Sequence, residues 1–202
     1  MSIPMALFDF VPVALYAVSA VILQRWLYDK MSKGAFALFA GGTIMVIAAG
    51  TMKAVWKLLY ALNVCDFERL SQAMFPMQSV GFLLAGISVV ALLTAPLRKK
   101  NTVCAAAAAP AVFSGTMIFV SMMVLGSLGI CGGLGIIAAK RKKVLSAILF
   151  WIAFVMLLAM GYLSSKDFDQ AFMNWIAEGV NVVGQSCLLI AALGLRSEAA
   201  KE

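Results

Sequence analysis

Long apolar runs alternate with short polar interruptions along this chain, and the runs recur at similar length. Stretches 5–27, 34–62, 72–96, 142–164 and 170–195 are each dominated by apolar residues. At 1.5 Å per residue, about 20 such residues cross a hydrocarbon core of roughly 30 Å as one α-helix. The pattern therefore predicts helices 1, 2, 3, 6 and 7 over those ranges. In helix 2 the apolar part ends near Thr51, where Lys53, Trp56, Lys57 and Tyr60 bring the chain to an interface. Helix 3 is expected to start near Pro76 and to end at Pro96, since proline suits a helix start and cannot continue a helix without strain.

Between Thr102 and Ala139 lies an uncharged stretch about twice as long as one span. Two helices, 102–122 and 125–140, turning near "VLGSLG", keep "LRKK" (97–100) and "KRKK" (140–143) on one side of the membrane, in line with the positive-inside tendency. The expected fold is thus all-α, a polytopic bundle of seven transmembrane helices in a single integral domain over 1–202. Its N-terminus lies outside and its C-terminus inside. Six helices, one of them kinked, is the alternative. "DFE" (66–68) precedes helix 3 and "DFD" (167–169) precedes helix 7, which makes 1–100 and 124–196 candidate parallel repeats joined by helix 102–122, a 3+1+3 plan.

Composition agrees with the pattern. Hydrophobic residues make up 63% of the 202, charged residues 12%, and the mean hydropathy is +0.99. A soluble domain carries roughly a quarter charged residues, so lipid is the expected solvent. The location that follows is a cell membrane, with the bacterial inner membrane the expected one. The first run lacks a basic leader and a small-residue cleavage site, so it reads as a retained helix.

The net charge of +7 sits in short loop clusters. Arg98, Lys99, Lys100, Lys140, Arg141, Lys142 and Lys143 read as topology signals that also meet anionic headgroups, not as a nucleic-acid surface. With no histidine in the chain, His-based metal sites and His general-base triads are excluded, and neither a metal nor a cofactor is expected. Cys65, Cys104, Cys131 and Cys187 stand far apart and read as buried thiols. The glycines of "LGSLGICGGLG" (125–135) lack the ending of a phosphate loop and suit close helix packing.

The candidate chemistry lies in "NWIAEGVNVVGQS". Asn174, Glu178, Asn181 and Gln185 step by four, three and four, so they share one face of helix 7. An unpaired carboxylate in lipid is costly, and this face should look into the bundle. Amides there also serve as packing glue between helices. By depth alone, Asp9, Lys53, Lys57 and Gln78 join Glu178 in an outer polar layer. Each has a plainer role as well: Asp9 at a helix start facing water, Lys53 and Lys57 as snorkelling anchors, Gln78 in packing.

Three function classes follow. A small-molecule transporter with an outward-opening pocket predicts a polar line continuing inward, through Gln185, Ser186 and Thr43. A ligand-sensing receptor or lipid-binding protein predicts a pocket closed at mid-depth. A lipid-modifying enzyme predicts two titratable groups within hydrogen-bond reach. The first is favoured, with a small molecule or lipid as ligand and a homo-oligomer or partner subunit allowed; the chain is not expected to be an enzyme. The plan is similar to that of sugar and vitamin carriers built from two three-helix repeats, at the level of the fold. The proline–glutamine pair of their helices 1 and 5 has no counterpart here, and "FPMQS" (75–79) places those letters in helix 3.

Overall fold

The computed structural model describes residues 3–65, 67–94, 116–164 and 171–197. Seven helical elements run along them: α1 (Ile3–Phe8), α2 (Phe10–Leu27), α3 (Lys33–Ala61), α4 (Glu68–Thr94), α5 (Thr116–Lys140), α6 (Val144–Ser164) and α7 (Ala171–Arg196). No strand occurs among the described residues. α1 and α2 are two parts of one span, interrupted at Asp9. Pro12 lacks the N–H that would bond the Phe8 carbonyl, which loosens the helix at this point. Among the described residues, five spans are long and apolar enough to cross a membrane: Ile3–Leu27, Lys33–Ala61, Gln72–Thr94, Met117–Lys140 and Phe172–Arg196. α6 adds a shorter apolar stretch, Val144–Met160. This architecture is compatible with an integral membrane protein.

Two expectations about helix boundaries are corrected. The chain does not turn at "VLGSLG": α5 runs unbroken from Thr116 to Lys140, so the separate helices 102–122 and 125–140 are not both present. The glycines there serve contact, not a turn. A Cβ on Gly126 would collide with the Phe82 backbone, and one on Gly129 would come within 2.8 Å of Gly86 Cα. Small residues let α4 and α5 touch backbone to backbone. The rest of the expected helix 102–122, with Arg98, Lys99, Lys100, Cys104 and the "AAAAAP" stretch, lies outside the described residues. The second correction concerns Pro76, which sits inside α4, two turns after its start at Glu68.

Contact registers give the direction of every helix. Between α3 and α4, Gly42 meets Ala85 while Val46 meets Gly81, an antiparallel pair. α2 and α3 are also antiparallel, with Val13 against Gly50 and Gln24 against Thr43. α6 and α7 follow suit, Gly184 against Met156 and Gly194 against Ser146. Between α4 and α5 the numbers rise together: Phe82 with Gly126, Gly86 with Gly129, Val89 with Gly133. These two helices are parallel. α7 returns to the α1–α2 span, where the Phe8 ring at the end of α1 meets Trp175 with centres 5.6 Å apart, and closes the ring of helices. α2, α4, α5 and α7 thus run one way, and α3 and α6 run back.

The two ends of the bundle differ in chemistry. Toward the Lys143 end the interior is apolar, with Leu27, Phe39, Val89, Leu134, Phe150 and Leu195 fully buried. Lys143 Nζ donates to the carbonyls of Gly194 and Leu195 and to Ser197 Oγ, a cation capping the C-terminus of α7. Trp26 receives Lys30 Nζ at 4.6 Å and the Arg141 guanidinium at 5.0 Å from its ring centre. Lys140 and Lys142 remain exposed. Of the cysteines, Cys131 is buried, Cys187 half-buried, and Cys65 exposed, so the last departs from the expectation of buried thiols.

Candidate functional site

At the Asp9 end the interior turns polar. α3 carries an inward stripe of Phe39, Thr43, Val46, Ala49 and Ala54, and Lys57 continues its spacing of three to five residues. That places a lysine inside the bundle where an anchor at the lipid surface was expected. Lys57 is only 7% exposed, Asp9 5% and Glu178 4%. Lys57 Nζ is ion-paired with Asp9 Oδ2 and, at 3.1 Å, with Glu178 Oε1. A buried ammonium costs several kcal/mol to desolvate, as a rough order, and two carboxylates offset that cost only in close geometry. Trp56 and Tyr60 stay outside this arrangement, their rings 6.1 Å apart.

The face of α7 looks inward as its spacing predicts. Glu178 and Gln185 are buried, while Asn174 and Asn181 are half-buried. Trp175, Ile176, Val183, Ile190 and Leu193 are exposed on the other side. Gly184 permits close approach, since a Cβ there would lie 2.9 Å from Met156 Cβ. Gly179 plays no such part, having nothing within 4 Å of that position.

Beside the ion pairs lies a cavity of about 120 Å³. Asp9, Lys53, Gln78, Glu178, Asn181 and Gln185 line it, together with Ser127 from α5 and apolar side chains such as Phe75, Met123 and Leu157. Six of the seven residues expected to form the site therefore meet around one space. Asn174 does not reach it. Lys57, weighed in the sequence mainly as an anchor, is the residue that joins the two carboxylates. Ser127 had no polar neighbour in sequence to single it out.

Several polar atoms at the site are unmatched. Glu178 Oε2, Asp9 Oδ1 and Gln185 Oε1 are buried and accept no hydrogen bond among the described residues. Lys53 Nζ makes neither an ion pair nor a hydrogen bond among them. Orphaned acceptors of this kind are rare in folded proteins unless they serve another partner. The four charged groups Asp9, Glu178, Lys53 and Lys57 sum to zero when all are ionised.

Further inward the polar line stops. Tyr16 and Phe82 pack edge to face, with ring centres 6.1 Å apart, above the apolar interior. Thr43 is taken up in packing, receiving Gln24 Nε2 at 2.8 Å and donating to the carbonyls of Phe39 and Ala40. The closeness of Lys57 and Glu178 is the geometry that acid–base chemistry requires and also the geometry of a structural ion pair. Comparison with known proteins finds no matching family model, no similar curated protein and no similar solved structure.

Proposed function

We propose that this chain is a small-molecule transporter of a cell membrane, the bacterial inner membrane being the expected one. The observation that carries the reading is the cavity. It lies where two sets of three helices meet, and it is lined by carboxylate and amide groups with oxygens that accept no hydrogen bond among the described residues. α1/α2–α3–α4 and α5–α6–α7 each run in–back–in, and each unit's third helix packs on the other's first. Carriers assembled from repeats bind their solute at such a junction.

The parallel run of α4 and α5 also supports seven crossings. Thr94 and Thr116 lie at opposite ends of the bundle, which is what a seventh crossing between them needs. This keeps the 3+1+3 plan, with the second repeat beginning at the start of α5 and not at 124. The exposed Lys140 and Lys142 then face the cytoplasm and anionic headgroups, and the cavity opens outward.

Proteoliposomes loaded with a panel of small polar metabolites test the reading. Wild-type protein should pass at least one solute faster than empty liposomes, and Glu178→Gln should lose that flux. No flux for any solute that binds overturns transport. A second reading, a ligand-sensing receptor, is favoured by one observation: Phe82, which lines the cavity, packs edge to face on buried Tyr16. Binding without flux is its signature.

A further inference from the structure

The unmatched groups around the cavity are of two kinds, and they imply what fills it. Lys53 presents an ammonium that makes no ion pair or hydrogen bond among the described residues. Glu178 Oε2 and Gln185 Oε1 present buried acceptors without a donor among the described residues. Lys57 is already engaged by both carboxylates, so it has little left to offer. From these observations we propose that the cavity takes a small zwitterion of the amino-acid type, its carboxylate on Lys53 and its ammonium on Glu178 and Gln185. This rests on the cavity being a ligand site, as the proposed function holds.

Charge and size both narrow the choice. Because Asp9, Glu178, Lys53 and Lys57 balance, a ligand with net charge would leave that charge uncompensated in an apolar bundle, which is expensive. A zwitterion keeps the site neutral while matching both kinds of unpaired atom. An uncharged polyol would keep neutrality but would leave Lys53 without an anion. A cavity of roughly 150 Å³ holds benzene, so about 120 Å³ suits a ligand of about six non-hydrogen atoms. Alanine and serine have this size. The lining of Phe75, Met123 and Leu157 suits a short apolar or hydroxyl side chain, not a second charge.

Thermal unfolding of the purified full chain tests the proposal with four probes of matched size. Alanine is the zwitterion, alaninamide the cation, propionate the anion and propionamide the neutral compound. Alanine should raise the melting temperature saturably. The other three should need at least roughly tenfold higher concentration for the same shift, the discrimination of one charge-assisted hydrogen bond. Lys53→Met should remove the preference for alanine over alaninamide.

The probe series on wild-type protein stands without any variant, should Lys53→Met fold poorly. Propionate or alaninamide acting as well as alanine would assign a singly charged ligand and overturn the proposal. Propionamide acting as well would overturn it while leaving a binding cavity in place. No response to alanine, glycine or serine overturns it too. Alanine binding without flux in proteoliposomes leaves the zwitterion site standing and ends the transport reading instead.

Discussion

Lys57 and Glu178 stand 121 positions apart in the chain, yet their charged atoms meet at 3.1 Å inside the bundle. Asp9 takes the other side of the same ammonium. The first, second and last spans of the ring are thereby held through one nitrogen.

Removing that nitrogen should be costly. Lys57→Met leaves two buried carboxylates without their cation, and the expected loss is about 3–5 kcal/mol. The combined variant Lys57→Met, Asp9→Asn, Glu178→Gln should recover most of it, because no charge is left unpaired. Chemical unfolding in detergent of the single and combined variants measures both. A combined variant no more stable than Lys57→Met would show that the ion pairs are not what holds these helices.

Glycines in α3 and α5 should split into two groups on substitution. Gly126→Val and Gly129→Val force α4 and α5 apart and should destabilise by at least 2 kcal/mol, roughly the cost of overpacking. Gly41→Ala has open space within 4 Å and should be neutral or stabilising by about 0.5–1 kcal/mol. Melting temperatures of the three variants decide the matter. Equal effects would remove the backbone contact as an explanation for the glycines.

Direction is testable by labelling. With the native cysteines replaced, Thr94→Cys should react with a membrane-impermeant maleimide only from the inside, and Met117→Cys, at a position 80% exposed, only from the outside. Cys65 restored alone should react from the outside. Thr94→Cys and Met117→Cys labelled from one side would sink the parallel arrangement and the seventh crossing with it.

Thr43→Val leaves the Gln24 amide without its acceptor. Hydrogen bonds between membrane helices are worth about 0.6 kcal/mol on average and rarely above about 1.7. A small loss of stability within that range, with solute binding unchanged, is the expected result. A large loss of binding would place Thr43 on the solute path after all.

Much of this was legible in the sequence because lipid imposes length. Five of the predicted spans appear within a few residues of their expected bounds, and α7 alone announced its inward face, since its polar residues recur at helical spacing. Azimuth was hidden elsewhere. Lys57 lies on an oily helix whose inward stripe is marked by small residues, Ala49 and Ala54, not by polar ones. Reading that stripe onward to Lys57 was the available signal. The glycines of "VLGSLG" misled because the same residue serves a turn in water and a close contact in lipid. That α4 packs parallel to α5 depends on which neighbour α4 chooses, and no local pattern encodes that choice.

The shared ammonium also bears on how the chain is made. Synthesis delivers Asp9 and Lys57 to the membrane together, as a first pair of helices that carries opposite charges and can neutralise itself. Glu178 arrives after the other described helices, and finds a cation already in position. A truncated chain would therefore present a self-satisfied hairpin, whereas a final helix made alone would expose a naked carboxylate to lipid. The order of the residues along the chain makes the last insertion the one that depends on all that came before.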